Sequence, residues 1–426
     1  MSIFDDDDDE DDPADLADLP EEPLVLDGEL LDGDADIVAV LDSQDAVAAR
    51  DPGRMLWLLA TAGAQVRRAV ETVERWSPET LSEDIAPRSL LIVTDPSASL
   101  AASVLAELAG ERVPVIDWRG AQLPRWAGPT DVLLAADIDG RHSRVADLVA
   151  EGDRRGLRVV AVAPERSPVA AAAARSRLVP IEPVTTRRVA LWTLLAPLLL
   201  AADALGVASI GAQRLIEVAD ALDTMAEACR PSSDAFTNPA KQLAVELAES
   251  EAMIAGVGPL SAIAARWMGS SLAVLAGLSA TTVELPDDIA VGGALLEIPP
   301  SGALGATTDP DFFRDRTQPE VTRRRRVVFV FERNPADVTV GRPAVELVDE
   351  PWPTVSPWDE GAERAAIVLE QVAAARGLVT STVDTPARDR LARFAAATSF
   401  GDFAAAYAAI GRGVDPAAVR AGELPH

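Results

Sequence analysis

The sequence predicts an α/β protein made of two parallel-sheet halves, each covered by flanking helices. Two patterns carry that prediction. Five short apolar runs alternate with helical patterns between residues 89 and 181, and a weaker alternation follows from residue 238. Size agrees: 426 residues with 48% hydrophobic content can bury a sizeable core in two domains plus extra elements.

Residues 1–36 hold 17 Asp and Glu and no Lys or Arg. Such a stretch repels itself and has almost nothing to bury, so a disordered, solubilising acidic tail is expected. Helical spacing then runs through Met55, Leu58, Leu59, Ala62 and Val66 over 51–76. The expected strands of the first half are "SLLIV" (89–93), "VPVID" (113–117), "DVLLAA" (131–136), "LRVVAVA" (157–163) and "RLVPI" (177–181). A long buried helix follows in "VTTRRVALWTLLAPLLLAADAL". In the second half the helix "NPAKQLAVELAES" leads to strand "EAMIAG", turn "GVGPL" and helix "SAIAARWMGSSLAVLAG". Further strands are expected at "TTVEL", "RVVFVFE" and "AVELV", helices over 362–375 and from Ala387, and a loop over 299–322. The implied division is a tail (1–36), a first domain with its N-terminal helix (37–206), a linker (207–240) and a second domain with C-terminal helices (241–426).

Of the formal net charge of −30, only −13 remains outside the tail. That balance argues against a nucleic-acid binder, whose affinity rests on Lys and Arg displacing counterions. The one dense basic run, Arg323 to Arg326, reads as the solvated start of a strand. Cys229 stands alone, so no intrachain disulfide framework is expected and a reducing, cytoplasmic setting fits. The acidic start does not suit a signal peptide, and the apolar stretch around Pro197 and Asp203 is too interrupted to span a membrane. No cofactor or metal site is expected.

Two strand-to-helix turns in the first half could hold an anion on free backbone N–H groups. One carries Ser97 and Ser99; the other, "ADIDGRHSR", carries Gly140, Arg141, His142 and Ser143. Ordinary helix capping explains the same residues. The second turn poses a puzzle, because Asp137 and Asp139 sit where a phosphate would have to go.

The order of segments adds a resemblance. "VPVIDWRGAQLPRWAGPTDVLLAADIDGRHSRVADLVAEGDRRG" resembles the first sugar-isomerase (SIS) domain of the bifunctional phosphoglucose/phosphomannose isomerases, where an "RGYxLPxW" segment precedes the phosphate turn "SYSGNT". "NPAK", "GVGP" with "RW", and "GVDPAAV" follow in the family's order, as in its actinobacterial TobH-like branch. The resemblance implies two SIS-type doubly wound domains, a homodimer with helix 189–206 in or near its interface, and sugar-phosphate or sugar-nucleotide ligands. It further implies an enediol isomerisation needing a Glu base, a ring-opening His and a C-terminal Lys.

Those reacting groups are missing. The Glu position falls at about Val274, only Asp287 and Asp288 lie near the His position, and the sole histidines are His142 and His426. Lys241, the only lysine, belongs to "NPAK". Against "SYSGNT" stand Asp137 to His142, with carboxylates in place of hydroxyl donors. Either Asp139 caps the next helix and no phosphate binds, or the pocket selects a cationic or donor ligand such as an amino sugar or a metal-bound nucleotide. Arg188, Gly256 and Gly258 are kept: Arg188 as sugar-phosphate contact or helix-start ion pair, the glycines as close-approach sites or a tight turn. Arg266 and Trp267 read as packing and ion-pair residues. Three functions remain open: a non-catalytic sugar-phosphate-binding regulator or scaffold of carbohydrate metabolism, an active aldose–ketose isomerase with a displaced base, and a structural dimer without ligand.

Overall fold

The computed structural model describes residues 34–76, 86–297, 324–332 and 358–418, apart from positions 111, 183, 185, 249, 384 and 386. Most of the acidic tail, the loop expected over 299–322 and the strand expected at 344–348 lie outside the described residues.

The first sheet comprises β1 (Leu90–Thr94), β2 (Val115–Asp117), β3 (Val132–Ala136), β4 (Arg158–Ala163) and β5 (Arg177–Pro180). All neighbours pair parallel, in the order β2-β1-β3-β4-β5. Its strands are continuously apolar because both faces are covered. Leu90, Ile92, Leu134 and Val160 face a core shared with helix Leu191–Ala204. Their alternates Leu91, Val93, Leu133 and Val159 face Val145, Leu148 and Val149 of helix Ser143–Arg155.

The second sheet has β6 (Ser250–Val257), β7 (Ala280–Leu285), β8 (Arg324–Phe331) and β9 (Val379–Val383), parallel in the order β7-β6-β8-β9. One face joins the shared core through Ile254, Val328 and Val383. The other meets Ala362, Ala365, Ala366 and Leu369 of helix Trp358–Ala375. Between the sheets runs helix Arg390–Gly411, buried along nearly its whole length and capped by Asp389, which accepts from the N–H groups of Leu391 and Ala392.

Several expectations change. A helix begins at Asp34, inside the stretch read as tail, and the helix expected over 51–76 breaks into Met55–Leu59 and Ala62–Trp76. Within 207–240 lies an 18-residue helix, Gly211–Ala228, which buries Leu215, Val218, Leu222 and Met225. The apolar helix Leu191–Ala204 is covered along most of its length by this chain's own core, with Trp192 edge-on to Phe394 at 6.2 Å. Arg325 and Arg326 are not solvated but ion-paired with Glu251 and Glu246 at 3.0 and 2.6 Å, their side chains 11% and 15% exposed. Among the described residues no helix is long and apolar enough to cross a membrane.

Candidate functional site

Strand order reverses between β1 and β3, and in open α/β sheets ligands collect outside the strand ends at such a switch point. Thr94 pairs with Ala136, so Asp95 and Asp137, each one residue further on, stand abreast. Their carboxylates are 1% and 0% exposed. Asp95 accepts from the N–H of Ser97 (2.6 Å) and of Ile138 (2.7 Å). Asp137 accepts from the N–H of His142 (2.7 Å) and of Asp139 (3.3 Å). Burial lifts the Asp137 carboxyl to about 6, and the neighbouring Asp95 carboxyl adds to the rise against the His142 N–H. The charged turn is thus filled from within: the two carboxylates accept backbone N–H groups of both turns.

The other turn residues gather here. Gly140 has φ +65°, and a Cβ on it would lie 2.3 Å from Ser167, so glycine is required twice over. His142, with extended backbone, is the N-cap of helix Ser143–Arg155, and Ser143 is its exposed first residue. Asp139 therefore does not cap that helix, which has no side-chain cap; it pairs with Arg187 at 2.9 Å, while Asp137 accepts from the N–H of the N-cap residue itself. Arg141 is exposed, and Arg144 donates to the carbonyls of Thr94 and Trp118 at 3.0 and 3.1 Å. Ser97 lies inside the short 3-10 turn Pro96–Ala98 and Ser99 is its C-cap, with the Ser97 N–H already bonded to Asp95. Asp95 and Arg187 were not foreseen. A signal existed for the first, since the runs "LLIVT" and "VLLAA" are both followed by Asp.

In the second half Gly256 is the second-last residue of β6 and Gly258 is the N-cap of helix Pro259–Ser271. A Cβ on Gly256 would meet the Ala262 backbone at 2.3 Å, and Gly258 has φ +101°. This turn, too, is filled from within. Glu332, just past β8, accepts from the Leu260 N–H at 2.9 Å and pairs with Arg390, which also holds Glu107 of the first half at 2.6 Å.

Arg188 joins neither turn. Its guanidinium donates to the carbonyls of Pro416 and Ala418, and it lines a cavity of about 20 Å³ with Gln65, Trp192, Ser399 and Asp402. That volume suits one water molecule, not a hexose. Asp402, another residue that sequence reasoning missed, accepts from Trp267 Nε1 (2.9 Å) and Ser271 Oγ (2.5 Å), and burial pushes it up to about 7. Arg266 pairs with Glu284 at 3.1 Å, so both it and Trp267 do the packing and pairing expected of them. Val274 is exposed, and Asp288 accepts from the Glu284 N–H at 3.0 Å. A larger groove of about 560 Å³ lies between helices Gly211–Ala228 and Arg390–Gly411, lined by Ala221, Met225 and Ala396.

The family model that matches is the bacterial phospho-glucose isomerase C-terminal SIS domain, over residues 357–422. The chain resembles the SIS-domain phosphoglucose isomerases. Solved structures with SIS folds agree at the level of fold. A hypothetical protein from Thermus thermophilus is 12% identical, covering 89% of this chain and 90% of its own, with a TM-score of 0.56. Tagatose-6-phosphate ketose/aldose isomerase from Escherichia coli is 11% identical over 86% of this chain and 95% of its own, with a TM-score of 0.54. No curated protein matches the sequence. On this SIS-type scaffold both parallel sheets are present, and carboxylates of the chain itself accept backbone N–H groups at both strand-to-helix turns.

Proposed function

We propose that this chain is a non-catalytic SIS protein, a regulator or scaffold in carbohydrate metabolism that takes a sugar derivative without seating its phosphate on the β1 and β3 turns. One observation carries the reading: Asp95 and Asp137 accept four backbone N–H groups at the switch point, where a phosphate dianion would meet buried negative charge. The missing Glu, His and Lys support the same view, because Lys241 is 1% exposed and bound to three carbonyls.

The test pairs an assay with a gain of function. The purified chain is expected not to convert fructose 6-phosphate to an aldose in a coupled assay. Asp137→Ser restores a hydroxyl donor, and glucose 6-phosphate is expected to raise the melting temperature of that variant more than that of the parent. Equal shifts in the two proteins would remove the turn from the account.

A second reading, an active isomerase with a displaced base, draws on Asp402, whose carboxyl burial lifts to about 7, but ranks below the first because the cavity it shares with Arg188 seats a water molecule and no hexose. Turnover that vanishes in Asp402→Asn would establish it in place of the first.

A further inference from the structure

We propose that Asp95 and Asp137 form a one-proton latch that closes the β1 and β3 turns on each other and loosens the β3 turn when the proton leaves. The inference rests on the occupancy reading above and assigns that site a regulation of its own.

The geometry has three parts. Asp95 and Asp137 stand abreast, each one residue past the paired Thr94 and Ala136 at the ends of adjacent parallel strands, whose spacing is about 4.8 Å. Both are essentially sealed from solvent. Each ties down a different piece of chain: Asp95 holds its own turn through Ser97 and reaches across to Ile138, while Asp137 holds Asp139 and His142. With one proton, one group donates to the other and the backbone bonds stand. Without it, two carboxylates face each other in a dry site, and repulsion relaxes most readily by turning Asp137 outward.

The counter-charge beside the pair is shared with a third carboxylate. On the β3 turn itself stand Asp139, Arg141 and His142; Arg141 is exposed, and His142 donates its backbone N–H to Asp137. Arg187, from the segment before helix Leu191–Ala204, attracts both carboxylates, while its guanidinium is hydrogen-bonded to Asp139. Arg144, on helix Ser143–Arg155, is held by two carbonyls. Beyond β4, Glu165 and Arg166 are exposed, and at the end of β2 Asp117 pairs with Arg119 at 2.7 Å.

Hydrogen–deuterium exchange on the full chain tests the latch. After correction for intrinsic exchange rates, the segment 137–143 is expected to lose protection roughly tenfold from about pH 5 to about pH 7.5, as its proton is released. Asp137→Asn and, independently, Asp95→Asn supply a permanent donor without the titration, so each is expected to give a flat profile there. A flat parent profile overturns the latch whatever the variants do, and so does a variant whose protection falls as the parent's does. Glucose 6-phosphate binding by Asp137→Ser is read separately. If that variant gains the ligand while the parent's exchange profile is flat, the latch fails and the occupancy reading stands.

Discussion

Lys241 shows how a single side chain can be read correctly and still be misplaced. Its ammonium donates to the carbonyls of Leu41 (2.6 Å), Pro231 (2.8 Å) and Ser233 (2.7 Å), with the Tyr407 ring 5.5 Å away. Burial lowers its pKa, opposed by Asp42 and Asp234. Lys241→Met leaves those carbonyls short of a partner, so urea denaturation is expected to show a loss of roughly 3 kcal/mol. A loss below about 1 kcal/mol would mean that water replaces the ammonium freely. Asp137 makes a prediction of opposite kind. The folded chain holds its proton more tightly than an unfolded carboxyl with the ordinary value of 3.8. Its contribution is therefore full below about pH 4 and is lost as pH rises to about 6. Asp137→Asn is expected to gain on the parent across that window, by at most about 3 kcal/mol, and to hold the gain at higher pH. Melting curves at several pH values check this, and a gap that does not grow with pH contradicts it. The sequence displayed both Asp137 and Asp139, but which one turned inward depended on strand register, fixed by partners far along the chain.

Elements were legible where burial was uniform. β1, β3 and β4 are buried on both faces, so their apolar runs were nearly unbroken and their bounds came out within a residue or two. β9 was missed because "VTSTV" is an edge strand with only Val383 buried, and its pattern lacks apolar continuity. Helix Gly211–Ala228 was read as linker because acidic residues on its outer face diluted the apolar positions 215, 218, 222 and 225. The candidate site was half legible: the turns and their glycines could be placed, but Asp95, Glu332 and Arg187 act only through tertiary proximity. Helix Arg390–Gly411 offers a test at this scale. Asp389 satisfies two N–H groups at its start and pairs with Arg214 at 2.9 Å. Asp389→Ala is expected to cost about 1–2 kcal/mol in chemical denaturation, whereas Asp389→Ser, which keeps a cap, should recover most of it. Equal losses in both variants would shift the weight from the cap to the ion pair.

At the scale of the molecule, two sheets need not mean two folding units. One continuous core contains Leu90, Leu134 and Val160 of the first sheet, Ile254 and Val328 of the second, and almost all of helix Arg390–Gly411 between them. A helix that buries its whole circumference cannot keep that surface covered if either half opens. The two halves are therefore expected to unfold together in urea, with far-UV circular dichroism and tryptophan fluorescence giving coincident single transitions. Arg390 separates this explanation from an electrostatic one, since it joins Glu107 of the first half to Glu332 of the second. Arg390→Met leaves Glu332, whose side chain is only 10% exposed, without its counter-ion, and is expected to lower stability by about 2 kcal/mol. If the shared core couples the halves, the variant still unfolds in one step with an unchanged denaturant slope. If the ion pair couples them, the variant unfolds in two. Two transitions in the parent chain would refute the shared core directly, because a helix common to both halves cannot belong to the one that has already opened.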